Sequence, residues 1–265
     1  MRLTIHHVTS YRFAEPVRFG LQQLRKTPKT TASQTVLAWR TEVTGGRKEL
    51  SFEDHHNNLT ELISFDDATD RLDLQSAGEV DVTDTHGIVG AHRGPAPLWL
   101  YRRVTSRTAA REHVRALLSQ VPPCNMLDRL HRLCGAIRDA VSYETGVSEP
   151  TWSAEETLAA GRGVCQDHAH VFIACARHLD LPARYVSGYL LIDGQTDQTA
   201  MHAWAEAYIE ELGWVGFDVS NVISPDARYV RVATGLDYSD ASPVTGSRIG
   251  GASETLGVEI KVMEQ

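Results

Sequence analysis

A cysteine at the mouth of an apolar helical stretch, followed by two short strands carrying a histidine and an aspartate, limits what this chain can fold into. The stretch is Gly163-Val164-Cys165-Gln166-Asp167-His168-Ala169-His170. The strands begin at Met201-His202-Ala203-Trp204 and at Gly213-Trp214-Val215-Gly216-Phe217-Asp218. A thiol becomes an efficient nucleophile beside a base, and the base needs a third group to hold its ring in one tautomer. Cys165, His202 and Asp218 can meet those needs together if the helix packs against an antiparallel hairpin.

Each local pattern suits its part. Gly161 and Gly163 allow a sharp turn into a helix that starts at about Val164, buries Ala169, Phe172, Ile173 and Ala176, and stops before Pro182. A cysteine in the first turn faces unpaired backbone N–H groups and the positive end of the helix dipole, which favour thiolate over thiol. Its own N–H would point to where an oxyanion develops on an attacked carbonyl. Asp167 is expected to cap that helix electrostatically. On the first strand His202, Trp204 and Glu206 alternate with Ala203, Ala205 and Ala207, giving one functional face and one tightly packed face. If Tyr208 pairs with Trp214, Asp218 falls opposite Trp204 and His202 opposite Ser220. His202 and Asp218 are then diagonal neighbours on one face. Glu206, on the same face, is the competing carboxylate.

Around this core the periodicity divides the chain. Residues 1–95 read as β-rich, with alternation from Leu3 to Phe13 and short strands at Val36 to Val43, Glu61 to Phe65, Leu72 to Ser76 and Glu79 to Thr85. Gly45-Gly46, Asn57-Asn58, Asp66-Asp67 and Gly87 punctuate them, which suggests a sandwich-like or mainly antiparallel unit. Gly94-Pro95-Ala96-Pro97 reads as a linker to a second unit, 96–265. There Val114, Leu117, Leu118 and Val121 form one helical stripe, and Leu127, Leu130, Cys134, Ile137 and Val141 a second. Ser153-Ala154-Glu155-Glu156 is a capping box opening a third helix. Strands are expected at Arg184 to Ile192, His202 to Ile209 and Trp214 to Val219. The tail strand 258–262 can return to pair with the first unit. The fold class is therefore α+β: a nucleophile helix packed on an antiparallel sheet, with a β-rich N-terminal domain.

Composition removes several function classes. A formal charge of −8 argues against a nucleic-acid backbone or an anionic membrane as partner. No apolar run reaches the ~18 to 20 residues of a membrane span, and the first residues lack the apolar core of a signal peptide. The expectation is a cytoplasmic protein. Four cysteines without a Cys-x-x-Cys pair do not resemble a disulfide framework. Cys165, His168, His170 and His202 are possible metal ligands, but His170 points away from the face shared by Cys165 and His168. Neither a metal nor a cofactor is expected.

Gly-Val-Cys-Gln-Asp with its helix, then Pro182-Ala183-Arg184-Tyr185-Val186-Ser187-Gly188-Tyr189, His202-Ala203-Trp204 and Gly213 to Asp218, resembles the core of bacterial transglutaminase-like proteins. His6 to Phe13 is similar to that family's β-rich N-terminal region, and Gly235-Leu236-Asp237-Tyr238-Ser239-Asp240 with Pro243 to its C-terminal segment. The resemblance implies a papain-like cysteine-proteinase core with Cys165 as nucleophile, His202 as base and Asp218 as orienting acid. It implies a thiol-dependent acyl-transfer enzyme acting on a peptide or amide substrate through an acyl-thioester. Hydrolysis is favoured because water is the default acceptor unless a pocket excludes it. The alternatives are a true transglutaminase passing the acyl group to an amine, or a non-catalytic binding module on the same fold. Trp204 and Trp152 are candidate substrate-binding residues, and Trp152 or Tyr143 could supply a side-chain oxyanion donor. The chain departs from the family where Val219-Ser220 follows the acid in place of Pro-Thr, where His168 replaces Phe, and where Leu236 replaces Arg.

Overall fold

Alternating burial at Leu3, Ile5, His7, Thr9, Tyr11 and Phe13 runs without interruption, so the N-terminal patches belong to one long strand, β1 (Arg2–Leu24). The computed structural model describes residues 1–265. After β1 come β2 (Gln34–Thr44), β3 (Gly46–Glu53), β4 (Leu59–Phe65), β5 (Thr69–Val82) and β6 (Ile88–Gly90). A 3₁₀ turn at Leu98–Arg102 leads into α1 (Glu112–Ser119), α2 (Met126–Ala140), β7 (Ser142–Tyr143), α3 (Ala154–Ala160) and β8 (Arg162–Gly163). The chain continues through α4 (Cys165–His178), β9 (Ala183–Leu190), β10 (Asp197–Gln198), β11 (His202–Ile209) and β12 (Gly213–Phe217). It ends with β13 (Tyr229–Gly235), α5 (Tyr238–Ala241), β14 (Val244–Gly250) and β15 (Glu254–Glu264).

The first sheet has eight strands, with β1 running through its middle. Residues 3–13 of β1 pair with β15, and residues 2–12 with β5 on the other side. The second half of β1 changes partners, pairing with β14 and β4 after register shifts around Arg12 to Phe19. Such irregularities bend a strand. The sheet folds over itself there and encloses an apolar cluster that includes Tyr11, Phe13, Leu24, Ile63 and Leu72. The sandwich-like expectation is thus met by one curled sheet. The two strands expected at Leu72 to Ser76 and Glu79 to Thr85 are a single strand, β5. Gly78 lies within it, where a Cβ would come 2.2 Å from the Ala38 carbonyl of β2. β3 escapes the sequence reading because nearly all of it is exposed.

The second sheet is antiparallel, ordered β13-β9-β11-β12-β6. Ala203, Ala205 and Ala207 of β11 are small enough for α4 to lie close, and Phe172 of α4 stacks on Phe217 of β12 with centroids 4.9 Å apart. α1, α2 and α3 cover the rest of α4 through Val114, Leu130, Ile137 and Ala154.

The two sheets share one core. The apolar cluster around α4 extends to Leu3, Ile5, Val80, Val82, Ile260 and Val262 of the first sheet. The division near residue 95 is crossed in both directions. β6 lies before it yet pairs with β12, and β14 and β15 return from the C-terminus to flank β1. Two buried amides complete the junction by capping the free edge of β13, which would otherwise leave backbone groups unpaired. Gln34 donates to the Arg231 carbonyl and accepts its N–H, at 2.8 and 2.9 Å. Asn58 does the same for Thr234, at 2.7 and 2.8 Å.

Candidate active site

The turn into α4 is built from several interlocking devices. Ser153 and Glu156 form the capping box of α3, and Gly161 closes that helix with φ +65°. β8 then pairs in parallel with β7, setting Tyr143 opposite Gly163. Asp167, third residue of α4, turns back to accept the Val164 N–H at 2.8 Å and the Ser148 hydroxyl at 2.6 Å. A Cβ at position 163 would lie 2.8 Å from the Asp167 Cβ, so this turn requires glycine. Cys165 follows as the first residue of α4, half-buried.

The hairpin adopts the anticipated register, with Tyr208 opposite Trp214 and the ladder ending at Ala205–Phe217. His202 Nε2 lies 2.6 Å from Asp218 Oδ2. The buried carboxylate also accepts the Asn221 side-chain amide at 2.7 Å, the Tyr229 hydroxyl at 2.7 Å and, on Oδ1, the Asn221 N–H at 3.3 Å. Burial alone would raise the pKa of Asp218, but these donors and the His202 charge hold it below the ordinary value. An ionised carboxylate only accepts, so Nε2 carries the proton of that bond and Nδ1 is left for Cys165. Burial also opposes charge on His202. The negative charge of a Cys165 thiolate and the bond to Asp218 outweigh it and raise the imidazole to about 10.

Glu206 does not compete for this histidine. It is fully buried between Arg184 at 2.6 Å and Arg231 at 2.8 Å, and the Arg184 guanidinium sits 3.9 Å over the Trp214 ring. Trp204 also departs from its expected place. It is 3% exposed, stacks beneath His202 and meets Tyr229 edge-on, so it packs behind the base instead of lining a substrate path. Trp152 lies in the turn before α3 and does not line the cleft either. Tyr143 does line it, 43% exposed. Burial, reinforced by the charges of Cys165 and Asp218, pushes its hydroxyl up to about 12, so it stays protonated and able to donate.

The parts of three further residues escaped the sequence reading. Asn221 and Tyr229 complete the shell of Asp218, but Tyr229 lies on β13, whose pattern was not read as a strand. His168, a departure from the family and a possible metal ligand by its spacing from Cys165, has a different part here. Its Nδ1 meets the Ser220 hydroxyl at 2.9 Å and its Nε2 the Val141 carbonyl at 3.1 Å. The residues at two departures, 168 and 220, are therefore in contact. Burial lowers His168 to about 4, so it is neutral, with Nε2 donating and Nδ1 accepting. His170 accepts the Tyr238 N–H through Nε2 at 3.2 Å. Both histidines are thereby turned away from Cys165, and no group of three or more candidate ligands converges. The segment from Gly235 to Asp240 acts as a brace. Asp237 accepts the Ser239 N–H, Asp240 accepts the Leu236 N–H and the His56 ring, and Tyr238 faces the cleft.

The cleft has a volume of about 1250 Å³ and is walled by both sheets. Cys165, His202, Tyr143 and Tyr185 stand on one side, with His7, Thr9 and Tyr11 of β1 on the other. Behind that second wall Lys26 is fully buried, donating to the Leu74 carbonyl at 2.9 Å and to Thr9 Oγ1 at 3.3 Å. Thr9 meets His7 Nε2 at 3.1 Å, and His7 Nδ1 meets the Tyr189 hydroxyl at 3.0 Å. Burial lowers Lys26 to about 7.

Known proteins are similar to this chain. Residues 115–219 match the model of the transglutaminase-like superfamily, and residues 3–81 that of the bacterial transglutaminase-like N-terminal region. An uncharacterised protein of Mycobacterium leprae is 27% identical, with 98% of each chain covered. One from Mycobacterium tuberculosis is 28% identical over 92% of this chain and 87% of its own. A crystal structure from Cytophaga hutchinsonii, described as a candidate cysteine protease, superposes with a TM-score of 0.78 at 24% identity. It covers all of this chain and 91% of its own. That last likeness speaks for the fold alone.

Proposed function

We propose that this chain, which belongs to the bacterial transglutaminase-like proteins, is a thiol-dependent acyl-transfer enzyme that hydrolyses an amide or peptide bond. The observation that carries the reading is the 2.6 Å bond between His202 and a buried, four-donor Asp218, beside a cysteine at a helix start. The Cys165 thiolate attacks the amide carbon. The oxyanion is met by the Cys165 N–H, which has no acceptor within its own helix, and by the Tyr143 hydroxyl. Collapse of the tetrahedral adduct breaks the C–N bond as His202 Nδ1 delivers its proton to the leaving amine. Water then attacks the acyl-thioester and gives a proton to His202, and the C–S bond breaks to release the acid and restore the Cys165 thiolate. Asp218 remains ionised and holds the ring throughout.

The test begins with iodoacetamide labelling near neutral pH and mapping of the adduct. Cys165 should react ahead of Cys124, Cys134 and Cys175, whereas preferential labelling of any other thiol removes the assignment. Burial pushes the Cys134 and Cys175 thiols up, which makes both poor competitors. An amide screen reading ammonia or amine release should then show turnover that Cys165→Ala abolishes. Adding a primary amine separates the fates of the thioester. Free acid as main product supports hydrolysis, and amine adduct as main product makes the protein a true transglutaminase. A binding module would release nothing.

A further inference from the structure

We infer that Arg138 forms an anion-reading subsite in the cleft, so that the acyl substrate carries a carboxylate near its scissile amide. This rests on the reading of Cys165 as the nucleophile and names the substrate class for that site. Arg138 occupies the last turn of α2, half-buried, and lines the same cleft as Cys165 and His202. Its Nε donates to the Ser220 carbonyl at 3.2 Å, which fixes the guanidinium two residues beyond Asp218. Its charge reaches His168, one helical turn on from Cys165, and works against protonation there.

What marks Arg138 is its lack of a partner. None of the ion pairs in the structure includes it, and the Nη groups make no protein hydrogen bond. The other lining arginine, Arg228, is held by Asp226 at 2.6 Å. The lining contains a single acidic residue, Asp193, on an exposed loop. Beside the Cys165–His202 pair, the lining charges are thus the unpaired Arg138, the paired Arg228 and the exposed Asp193. Fork-shaped guanidinium donors already anchored on one side suit a planar carboxylate. An ammonium acceptor, by contrast, would approach a guanidinium that no carboxylate pairs, in keeping with water as the second substrate.

The experiment compares two alkylating reagents that differ in charge, iodoacetate and iodoacetamide, on the full chain and on Arg138→Gln. Both report on the same sulfur, and no physiological substrate is needed. The ratio of their rates at Cys165 should fall about threefold to tenfold in Arg138→Gln, as expected for losing an unlike charge several ångströms away in a partly solvated cleft. The iodoacetamide rate should stay near that of the parent, and Arg138→Lys should keep part of the ratio. An unchanged ratio overturns the inference and leaves the nucleophile intact. Rates that fall together also overturn it, since Arg138 would then act only by holding Ser220. A parent protein whose Cys165 resists iodoacetamide removes the catalytic reading itself.

Discussion

Asp218→Asn isolates the weight of the orienting acid, because the geometry allows the amide to fit. Three of the four donors converge on Oδ2, from His202, Asn221 and Tyr229, while Oδ1 receives only the long 3.3 Å contact from the Asn221 N–H. An asparagine that puts its oxygen at the Oδ2 position satisfies all three short bonds, and its amide nitrogen meets just the weak one. The fold should therefore lose about 1 kcal/mol, a shift of about 2 to 4 °C in a domain of this size. The imidazolium loses far more, because the charge that outweighed its burial is gone. Replacing a charged acceptor by a neutral one at hydrogen-bond distance, together with the lost attraction, should weaken the thiolate–imidazolium pair by about 2 to 4 kcal/mol. That is about thirtyfold to a thousandfold in its population. Iodoacetamide labelling of Cys165 near neutral pH should slow by that range, and amide turnover by ~10² to 10⁴. Labelling within about twofold of the parent, at a matched melting temperature, refutes the role given to Asp218.

Other substitutions test the surroundings. Glu206→Gln leaves the buried Arg184 and the partly exposed Arg231 poorly compensated and should cost about 3 to 5 kcal/mol in denaturant melts, with labelling of the folded fraction unchanged; full stability with dead chemistry would contradict the structural role. Gly163→Ala forces a Cβ onto Asp167, so a loss of about 1 to 3 kcal/mol and slower Cys165 labelling should appear together. Lys26 has a folded pKa of about 7, below the unfolded value of about 10.4, so the unfolded chain binds more protons between those limits. The parent therefore gains stability from this group as pH rises from about 7 to 10. The advantage of Lys26→Met should be greatest at or below about pH 7 and shrink by up to about 5 kcal/mol towards pH 10; a pH-independent difference refutes the buried charge. A fragment beginning at residue 96 loses β6 and exposes Ile260 and Val262, so it should show no cooperative thermal transition.

Much of the core was legible because its signals are local. The capping box at Ser153, the stripe through Phe172 and the alanine face of β11 each bury what their periodicity says they bury. The hairpin register followed from one assumed pair, and it placed His202 beside Asp218. Less could be read where packing decides. Gly78 reads as a strand breaker, yet it lets β5 run on because β2 lies too close for a side chain. Trp204 shares parity with His202, as expected, but parity does not tell whether that face is open or covered. Tyr229 covers it. The pairing of Glu206 with two arginines depends on neighbours from β9 and β13, which no pattern within β11 announces. Nor could a strand pattern in β1 say that its buried face would be half core and half cleft wall.

That double use of β1 ties the β-rich region to the cleft. His7, Thr9 and Tyr11 close the cleft, so its width is set by how the first sheet docks. The docking also reaches the proposed catalytic residues by a route of direct contacts. Gln34 and Asn58 satisfy the outer edge of β13 at Arg231 and Thr234. β13 carries Tyr229, whose hydroxyl is one of the donors that keep Asp218 ionised, and Asp218 holds His202. An unsatisfied strand edge would fray, and Tyr229 sits at its start. The residues that orient the base are thus stabilised by a sheet whose strands come from both ends of the chain.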